Sequence, residues 1–152
     1  MKIESIADHL DLLDTLAQWH EKQWGAEWAE QVRQSTCRDR IPTIYIALDN
    51  NNELLGSAML VARDMTTRTD LTPWLGGVYV KPSHRGQGIA TALVSHAMNQ
   101  ARHMNIRHLW LYTPASRKLY EHLGWQYAVE SDYLEEHVTI MQLDLAVNDT
   151  PA

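Results

Sequence analysis

Hydrophobic residues recur at helical spacing in three segments of the chain. Apolar positions every three or four residues predict a helix over residues 7–24, and Gly25 ends that pattern. A second, short helix is expected over residues 26–34. The clearest helical pattern covers residues 89–104, where apolar residues line one face. We therefore expect at least three helices with a buried face.

Strands are predicted where β-branched and aromatic residues cluster between turn residues. The predicted strands cover residues 2–6, 43–48, 54–63, 73–80, 106–112, 125–129 and 137–145. A run of Asp and Asn at 49–52 predicts a hairpin turn, whereas the polar segment 64–72 is expected to be an exposed loop and an acidic loop should join the last two strands. Paired glycines in the fourth strand, Gly76 and Gly77, indicate a bulge or a close approach by a ligand.

A further helix is predicted after the fifth of these strands. Thr113 is suited to cap it, with Pro114 at its first position, and the helix should end near Gly124. The strand–helix–strand order over residues 73–112 implies a right-handed crossover and one parallel strand pair, while the hairpins imply antiparallel pairing elsewhere. The expected fold is a single α/β (α+β) domain over residues 1–147, with a mixed, mostly antiparallel sheet flanked by helices and a flexible tail at 148–152.

Composition and charge remove several functional classes. The 152 residues carry a formal charge of −6, which argues against general nucleic-acid binding and would suit a cationic partner. No uninterrupted apolar run reaches the ~20 residues that cross a bilayer. The single cysteine, Cys37, cannot form an internal disulfide, and it has no neighbouring histidine or acid that would mark it as a nucleophile. We expect a cytoplasmic protein without membrane association or a metal site.

Residues 80–90 run from a strand through a glycine-containing loop into a helix. Free N–H groups at a helix start, glycines that admit a ligand and the charge of Arg85 together suit a phosphate. The P-loop does not fit, because Gly88 is followed by Ile89 and Ala90 rather than by Lys and Ser or Thr. The dinucleotide fingerprint does not fit either, because its third glycine is absent.

The loop resembles the pyrophosphate loop of the GNAT N-acetyltransferase superfamily, Arg/Gln-x-x-Gly-x-Gly/Ala. Arg85, Gly88 and Ala90 fill its three positions. A second segment, residues 119–125, is similar to the Leu-Tyr-acid-x-Leu-Gly-aromatic segment that follows the fifth strand in that family. The two motifs span residues 73–125, and the element order extends the resemblance to nearly the whole chain. The resemblance implies a GNAT fold, with acetyl-CoA as co-substrate and an amine as acceptor.

The resemblance also implies roles for individual residues. The parallel strand pair should splay, with the pantetheine arm of CoA along the strand that contains Val78, Tyr79 and Val80. The residues expected to hold the diphosphate are Arg85, Gly86, Gln87, Gly88, Ile89, Ala90 and Thr91. Thr113 and Ser116 stand where relatives place an asparagine and an alanine, and Thr113 could offer a hydroxyl to CoA. Tyr120 occupies the position of the proton donor to the leaving thiolate, although a packing role is the alternative.

The general base remains unassigned. Many relatives carry a glutamate on the splayed strand, and the matching position here is Gly77. Glu21, His84, His137 and Tyr79 are candidates, and a chain of water molecules is another. The amine, mostly protonated at neutral pH, needs one of these to attack a thioester.

The acceptor pocket is expected between the first two helices and the last hairpin. These segments carry aromatic and acidic residues: Trp19, Trp24, Trp28, Tyr133, Glu21, Glu27, Glu30, Glu130, Asp132, Glu135 and Glu136. They could enclose an ammonium group, or be core tryptophans and solvated acids. The acceptor could be a small molecule, a peptide N-terminus or a lysine. Its amine is expected to attack the thioester directly in a ternary complex. The protein could be a monomer or a homodimer. A catalytically degenerate acyl-CoA sensor and a transferase of longer acyl groups are the competing interpretations.

Overall fold

The computed structural model describes residues 1–115 and 117–145, and in these residues seven strands and four helices form one domain. The strands are β1 (Lys2–Ser5), β2 (Thr43–Leu48), β3 (Leu54–Val61), β4 (Trp74–Val80), β5 (His108–Thr113), β6 (Gln126–Tyr133) and β7 (Glu136–Asp144). The helices are α1 (Leu13–Trp24), α2 (Ala26–Gln34), α3 (Ile89–His103) and α4 (Arg117–His122). No helix among the described residues is long and apolar enough to span a membrane.

One mixed sheet, in the order β1-β2-β3-β4-β5-β7-β6, contains all seven strands. Every neighbouring pair is antiparallel except β4 and β5, which are joined in parallel through a single register pair, Trp74 with Trp110. Beyond that pair the two strands separate. The predicted fold class and the splayed parallel pair are thus confirmed.

The glycine pair in β4 forms the predicted bulge. Ser57 of β3 lies opposite Tyr79, whereas Met59, two residues on, lies opposite Gly76, three residues back. One extra residue is therefore accommodated on β4. Gly77 takes it up with φ of +56°, and a Cβ there would come within 2.5 Å of the Met59 sulfur. Glycine is required at this position because both the backbone conformation and the space exclude a side chain.

Two hydrophobic layers cover the faces of the sheet. Leu93, Val94 and Ala97 of α3 pack on one face, while α1 and α2 cover the other. Every residue of β2 is buried, and alternate residues join the two layers because successive side chains point to opposite faces. This double cover fixes β3 and β4 rigidly where they approach the start of α3.

Both ends of the predicted first helix are defined by local backbone geometry. Two short 3-10 turns, Ile6–Asp8 and Leu10–Leu12, precede α1, so the predicted start at residue 7 is wrong. His9 separates the turns with φ of −142°, which is not helical. Gly25 ends α1 as predicted, with φ of +112°.

The predicted helix start at Thr113 is also wrong. Thr113 is the last residue of β5, paired with Thr139, and its Oγ1 accepts a hydrogen bond from the backbone N–H of Ala115. Helix α4 begins only at Arg117. A threonine can bond a nearby N–H equally well in a turn after a strand, so the capping signal did not distinguish the two. Ser116 lies outside the described residues.

The acidic loop predicted between the last strands is a tight hairpin instead. Strands β6 and β7 pair up to Tyr133 and Glu136, and the two intervening residues, Leu134 and Glu135, have φ of +51° and +66°. Positive φ at both central residues matches the twist of a two-residue hairpin turn, although neither residue type favours it. The predicted tail at 148–152 lies outside the described residues.

The segment after β3 is only partly the exposed loop that was predicted. Met65 is fully buried, and the side chain of Asp64 turns inward over the sheet. From Thr66 to Thr72 the segment is largely exposed. A polar composition predicted exposure for the whole segment, but its first two residues form part of the interior.

Candidate active site

The loop between β4 and α3 presents backbone N–H groups at a helix start. Gly86 and Gly88 have φ of +79° and +80°, and only open space lies where a Cβ of either would stand. Gly88 is the N-cap of α3, and because glycine has no side chain, it does not cap the N–H groups of the first turn. The N–H groups of the first turn lack partners within the helix and carry partial positive charge, which favours an anionic group at this point.

Arg85 lies along β4 beside this helix start. Its Nε donates a hydrogen bond to the carbonyl oxygen of Val80 at 2.9 Å, and its guanidinium stands 5.6 Å from the ring centroid of Tyr79. Because Nε is engaged, a contact between this side chain and a phosphate falls to the Nη atoms. The side chain thus both stabilises the strand end and adds positive charge to the loop.

A cavity of about 450 Å³, which we call the strand cleft, lies beside the separated end of β4. Its walls are Gln23, Trp24, Val78, Tyr79, Val80, Arg85, Gly86, Gly88, Ile89, Ala90, Thr91, Leu119 and Tyr120. The structure therefore brings most of the predicted cofactor-binding residues into one cleft. Gln87 is exposed in the loop and is not among the lining residues, and Thr113 lines the neighbouring cavity instead.

The edge of β4 within the strand cleft has no strand partner in the described sheet. Parallel pairing with β5 is limited to Trp74, at the other end of the strand. Backbone groups of Val78 to Val80 on that side are consequently offered to a ligand that lies in the cleft. A linear ligand with amide groups could continue the interrupted ladder there.

Tyr120, on α4, stands where the strand cleft meets a second cavity. The residue is 8% exposed, and burial raises the pKa of its phenol to about 12. Its ring packs edge-on against Trp125, with centroids 6.3 Å apart. The phenol therefore stays protonated at neutral pH and can act as a proton donor.

The second cavity, which we call the inner cavity, has a volume of about 260 Å³. It shares Gln23, Trp24, Val78 and Tyr120 with the strand cleft. Its other walls are Trp28, Asp64, Leu75, Gly76, Gly77, Leu111, Tyr112, Thr113 and Pro114. The inner cavity and the strand cleft therefore adjoin at these four shared residues.

Among the described residues that line the inner cavity, Asp64 alone carries a carboxyl group. As a residue it keeps intermediate exposure, but the carboxyl group is enclosed by protein, and its Oδ1 is inaccessible and has no hydrogen-bond partner. Desolvation raises its pKa to about 7. Sequence reasoning missed this residue, because it was placed in an exposed loop.

An aromatic wall connects α1 to β4 between the two cavities. Trp24 packs against Tyr79 and Trp28, with centroids 6.0 and 5.4 Å apart. Beneath it, Ser57 donates a hydrogen bond to the Gly77 carbonyl, and its oxygen accepts one from Nε2 of the buried His20. Desolvation lowers the pKa of His20 to about 4, so the imidazole is neutral. These bonds tie α1 to the bulge.

A third cavity, which we call the outer cleft, adjoins the inner cavity. It has a volume of about 250 Å³ and shares Trp28 and Asp64 with the inner cavity. Its remaining walls are Glu27, Glu30, Gln31, Gln34, Thr66, Tyr133 and Leu134, with no Lys or Arg among these residues. Two of the acids expected around an acceptor, Glu27 and Glu30, thus line the same cavity as Asp64.

The other residues considered at the sequence level lie elsewhere. Glu21, His84 and His137 line none of the three cavities. His137 sits on the exposed β6–β7 hairpin, where hydrogen bonds to Asp132 and Glu130 raise its pKa. Of the four candidate bases, Tyr79 alone lies on the wall of one of these three cavities, the strand cleft.

Comparison with known proteins gives a consistent result. The model of the Acetyltransferase (GNAT) family matches residues 10–125. The Escherichia coli (strain K12) protein named Uncharacterized N-acetyltransferase YjgM is 43% identical in an alignment of length 54 that covers 33% of this chain and 32% of that protein. The matched segment thus spans only about a third of that relative's length.

Solved structures share the fold over nearly the whole chain. An aminoglycoside 6'-N-acetyltransferase from Enterococcus faecium superposes with a TM-score of 0.75 at 16% identity, covering 100% of both chains. A GNAT superfamily phosphinothricin acetyltransferase from Sinorhizobium meliloti, in complex with AcCoA, has a TM-score of 0.72 at 19% identity, covering 94% of this chain and 87% of that one. At these identities the likeness is one of fold.

Proposed function

The chain belongs to the GNAT acetyltransferase family, and we propose that it transfers the acetyl group of acetyl-CoA to a small-molecule amine with more than one positive charge. The observation that carries this proposal is the contact between the strand cleft and the inner cavity at Tyr120. One cleft suits an anionic, amide-bearing donor, and the other leads to carboxylates. A thioester and an amine can meet only where the two join.

Binding of the donor rests mainly on backbone groups. The N–H groups at the start of α3, exposed by Gly86 and Gly88, would hold the diphosphate, and the Nη atoms of Arg85 would add charge. The free edge of β4 from Val78 to Val80 would hold the pantetheine arm. Acetyl-CoA supplies the thioester that an amine can attack.

Two groups of the chain would act on the reacting atoms. A fixed backbone N–H from the Tyr79–Val80 region would stabilise the oxyanion that forms when the amine attacks the carbonyl in a ternary complex. Tyr120 would donate a proton to the departing thiolate. Its raised pKa supports this role, because a phenol that remains protonated is a ready donor to sulfur.

The acceptor class follows from the walls of the inner cavity and the outer cleft. Carboxylates of Asp64, Glu27 and Glu30 and the rings of Trp24 and Trp28 can surround ammonium groups by charge and cation–π contacts. No Lys or Arg lines either cavity. A diamine, a polyamine or an aminoglycoside fits these walls better than a neutral or acidic acceptor does.

A regulatory acyl-CoA sensor is the alternative function. Such a module needs the strand cleft but has no use for a route lined with acids to the acyl end. The sensor hypothesis rested on the missing strand glutamate, and a carboxylate does lie over that strand, at Asp64. The geometry therefore favours the enzyme.

Release of free thiol from acetyl-CoA tests the proposal across polyamines, aminoglycosides, amino acids and peptides. We expect turnover with multiply charged small amines and little with acidic amino acids. Tight binding of CoA without turnover on any acceptor would instead support the sensor.

A further inference from the structure

Building on the proposed function, we propose that Asp64 binds the reacting ammonium group of the acceptor and removes its proton. This assigns the general base, which the sequence left open, to the segment after β3 rather than to β4, the strand on which many relatives carry a glutamate. The assignment rests on the position of the carboxylate, on its lack of a partner and on its place between two cavities.

The carboxylate of Asp64 occupies space above β4 that a strand side chain would otherwise fill. A Cβ built on Gly76 would clash with Oδ2 of Asp64. The next residue, Gly77, also lacks a side chain and stands where many relatives carry a glutamate. Gly76 thus leaves room on the strand for a carboxylate that arrives from another element, whereas a Cβ on Gly77 would meet Met59 and His20.

No group of the described chain neutralises this carboxylate. Its Oδ1 is inaccessible and has no hydrogen-bond partner, and no Lys, Arg or His lines the inner cavity. A buried carboxylate without a partner costs free energy, so a protein keeps one mainly where a ligand supplies the opposite charge. Desolvation raises its pKa to about 7, close to the range in which a general base works at neutral pH.

Neighbouring elements hold the aspartate in this position. The phenol oxygen of Tyr133, on β6, accepts a hydrogen bond from the Thr66 N–H at 3.2 Å. The phenol O–H donates one to the carbonyl oxygen of Asp64 at 3.5 Å. Tyr112, on β5, lies close enough for the Asp64 charge to contribute to its raised pKa. The fixed backbone and the packed first residues of the segment make Asp64 part of the rigid site.

Asp64 also lies on the route that an acceptor would take. It lines both the outer cleft and the inner cavity, and Tyr120 lines the inner cavity at its junction with the strand cleft. An amine that passes Glu27 and Glu30 would therefore meet Asp64 before it meets the thioester. The base and the proposed acid stand on the wall of one cavity of about 260 Å³.

The protons balance over one turnover. Asp64 takes one proton from R–NH3⁺, and the free amine forms a bond from nitrogen to the thioester carbon while the carbonyl electrons move to oxygen. Collapse restores the carbonyl and breaks the carbon–sulfur bond. Tyr120 protonates the thiolate and recovers a proton as the nitrogen loses its second, which leaves an amide and CoA. Asp64 then releases its proton to water.

The test compares Asp64→Asn with Asp70→Asn, a control in the same segment whose exposed carboxylate pairs with Arg68 at 3.0 Å. With 1,4-diaminobutane at pH 7 we expect kcat/KM to fall by about 10²–10³-fold in Asp64→Asn and less than about twofold in the control. Gly76→Ala, which pushes the carboxylate aside without removing it, should lose about tenfold or more. An Asp64→Asn variant within threefold of the wild type would overturn the assignment.

A pH profile separates proton removal from binding alone. Titratable groups facing Asp64 are Tyr112 from β5, Tyr120 from α4, Tyr133 from β6 and, in the outer cleft, Glu27 and Glu30 from α2. The loss in Asp64→Asn should shrink by about tenfold or more between pH 7 and pH 9.5, because more of the amine is then already free. An undiminished loss at pH 9.5 would contradict the role as a base.

Binding distinguishes failure of this assignment from failure of the proposed function. Calorimetry of 1,4-diaminobutane with the CoA complex should show about tenfold or more weaker binding in Asp64→Asn. If no amine is turned over by the wild type, the proposed function and the role of Asp64 as a base both fail, and this measurement still decides whether Asp64 binds the ammonium group. Equal affinity in both proteins, or no binding to the wild type, overturns the assignment.

Discussion

The strand cleft and the inner cavity meet at Tyr120 but are built in different ways. Most of the strand cleft comes from one continuous stretch, from Val78 to Thr91, and it offers backbone groups. The inner cavity draws on α1, α2, β4, β5, α4 and the segment after β3, and it offers side chains. Backbone recognition needs glycines and a helix start at fixed spacing, whereas side-chain recognition needs only that distant residues meet.

Because of this difference, the two halves of the site should differ in which side-chain substitutions they tolerate. A donor held by the backbone tolerates changes in most side chains as long as Gly86 and Gly88 keep their conformation. An acceptor held by side chains changes with each substitution in its walls. The two halves should therefore be separable by mutation.

The strongest effect is expected from Gly88→Asp, in the donor half. An aspartate there is strained at φ of +80° and places a negative charge at the proposed diphosphate site. We expect the Kd for CoA, measured by calorimetry, to rise by about 100-fold or more. Gly25→Asp is the matched control, since Gly25 has φ of +112° and equally open surroundings. A similar loss in both variants would show general strain rather than a diphosphate site.

Tyr120→Phe acts at the junction of the two halves. Removal of the phenol should lower kcat by about 100-fold while CoA affinity stays within about twofold of the wild type. Tyr127→Phe, on the exposed side of β6, serves as the control. Steady-state kinetics with saturating diamine measures the effect, and a near-native kcat would reduce Tyr120 to a packing role.

The double variant Glu27→Gln/Glu30→Gln affects the acceptor half alone. Loss of two charges from the outer cleft should raise KM for 1,4-diaminobutane by about 3- to 10-fold, with a smaller change for butylamine. Glu21→Gln, an exposed position on α1, is the control. Equal changes for the two amines would mean that the outer cleft does not bind a second ammonium group.

The smallest effect concerns stability. Burial raises the pKa of Asp64 from 3.8 to about 7, so the folded state disfavours its ionised form. The resulting destabilisation builds up as pH rises from about 4 to about 7 and is complete above pH 7. From pH 5 to pH 8, Asp64→Asn should gain about 1–3 kcal/mol in free energy of unfolding relative to the wild type, as measured by urea denaturation. If the difference in free energy of unfolding between the variant and the wild type did not change with pH, burial would not raise the pKa of Asp64.

The order of elements, the splayed pair and the strand cleft could be predicted because their signals are local. A glycine loop between a strand and a helix, or paired glycines within a strand, is visible in a few consecutive residues. Asp64 could not be found this way. Its neighbours from Thr66 onward are largely exposed, whereas its own side chain turns inward over Gly76 of another strand.

Predicted boundaries of helices and loops were wrong where the same residue type can occur in two different local structures. Thr113 can bond a nearby N–H at a helix start or after a strand, and the structure uses the second. Leu134 and Glu135 form a hairpin turn at positive φ that their residue types disfavour, so the pairing of β6 with β7 must impose it. These local structures depend on tertiary contacts, which cannot be inferred from a few consecutive residues.

The proposed acetylation of multiply charged amines is tested most directly by the ratio of kcat/KM for 1,4-diaminobutane to kcat/KM for butylamine. Mass spectrometry identifies the acetylated product. A donor cleft joined to an acidic route predicts acetylation of the diamine with kcat/KM about tenfold or more above that of the monoamine. CoA binding with no acetylated product from either amine, or equal kcat/KM for both, would contradict it.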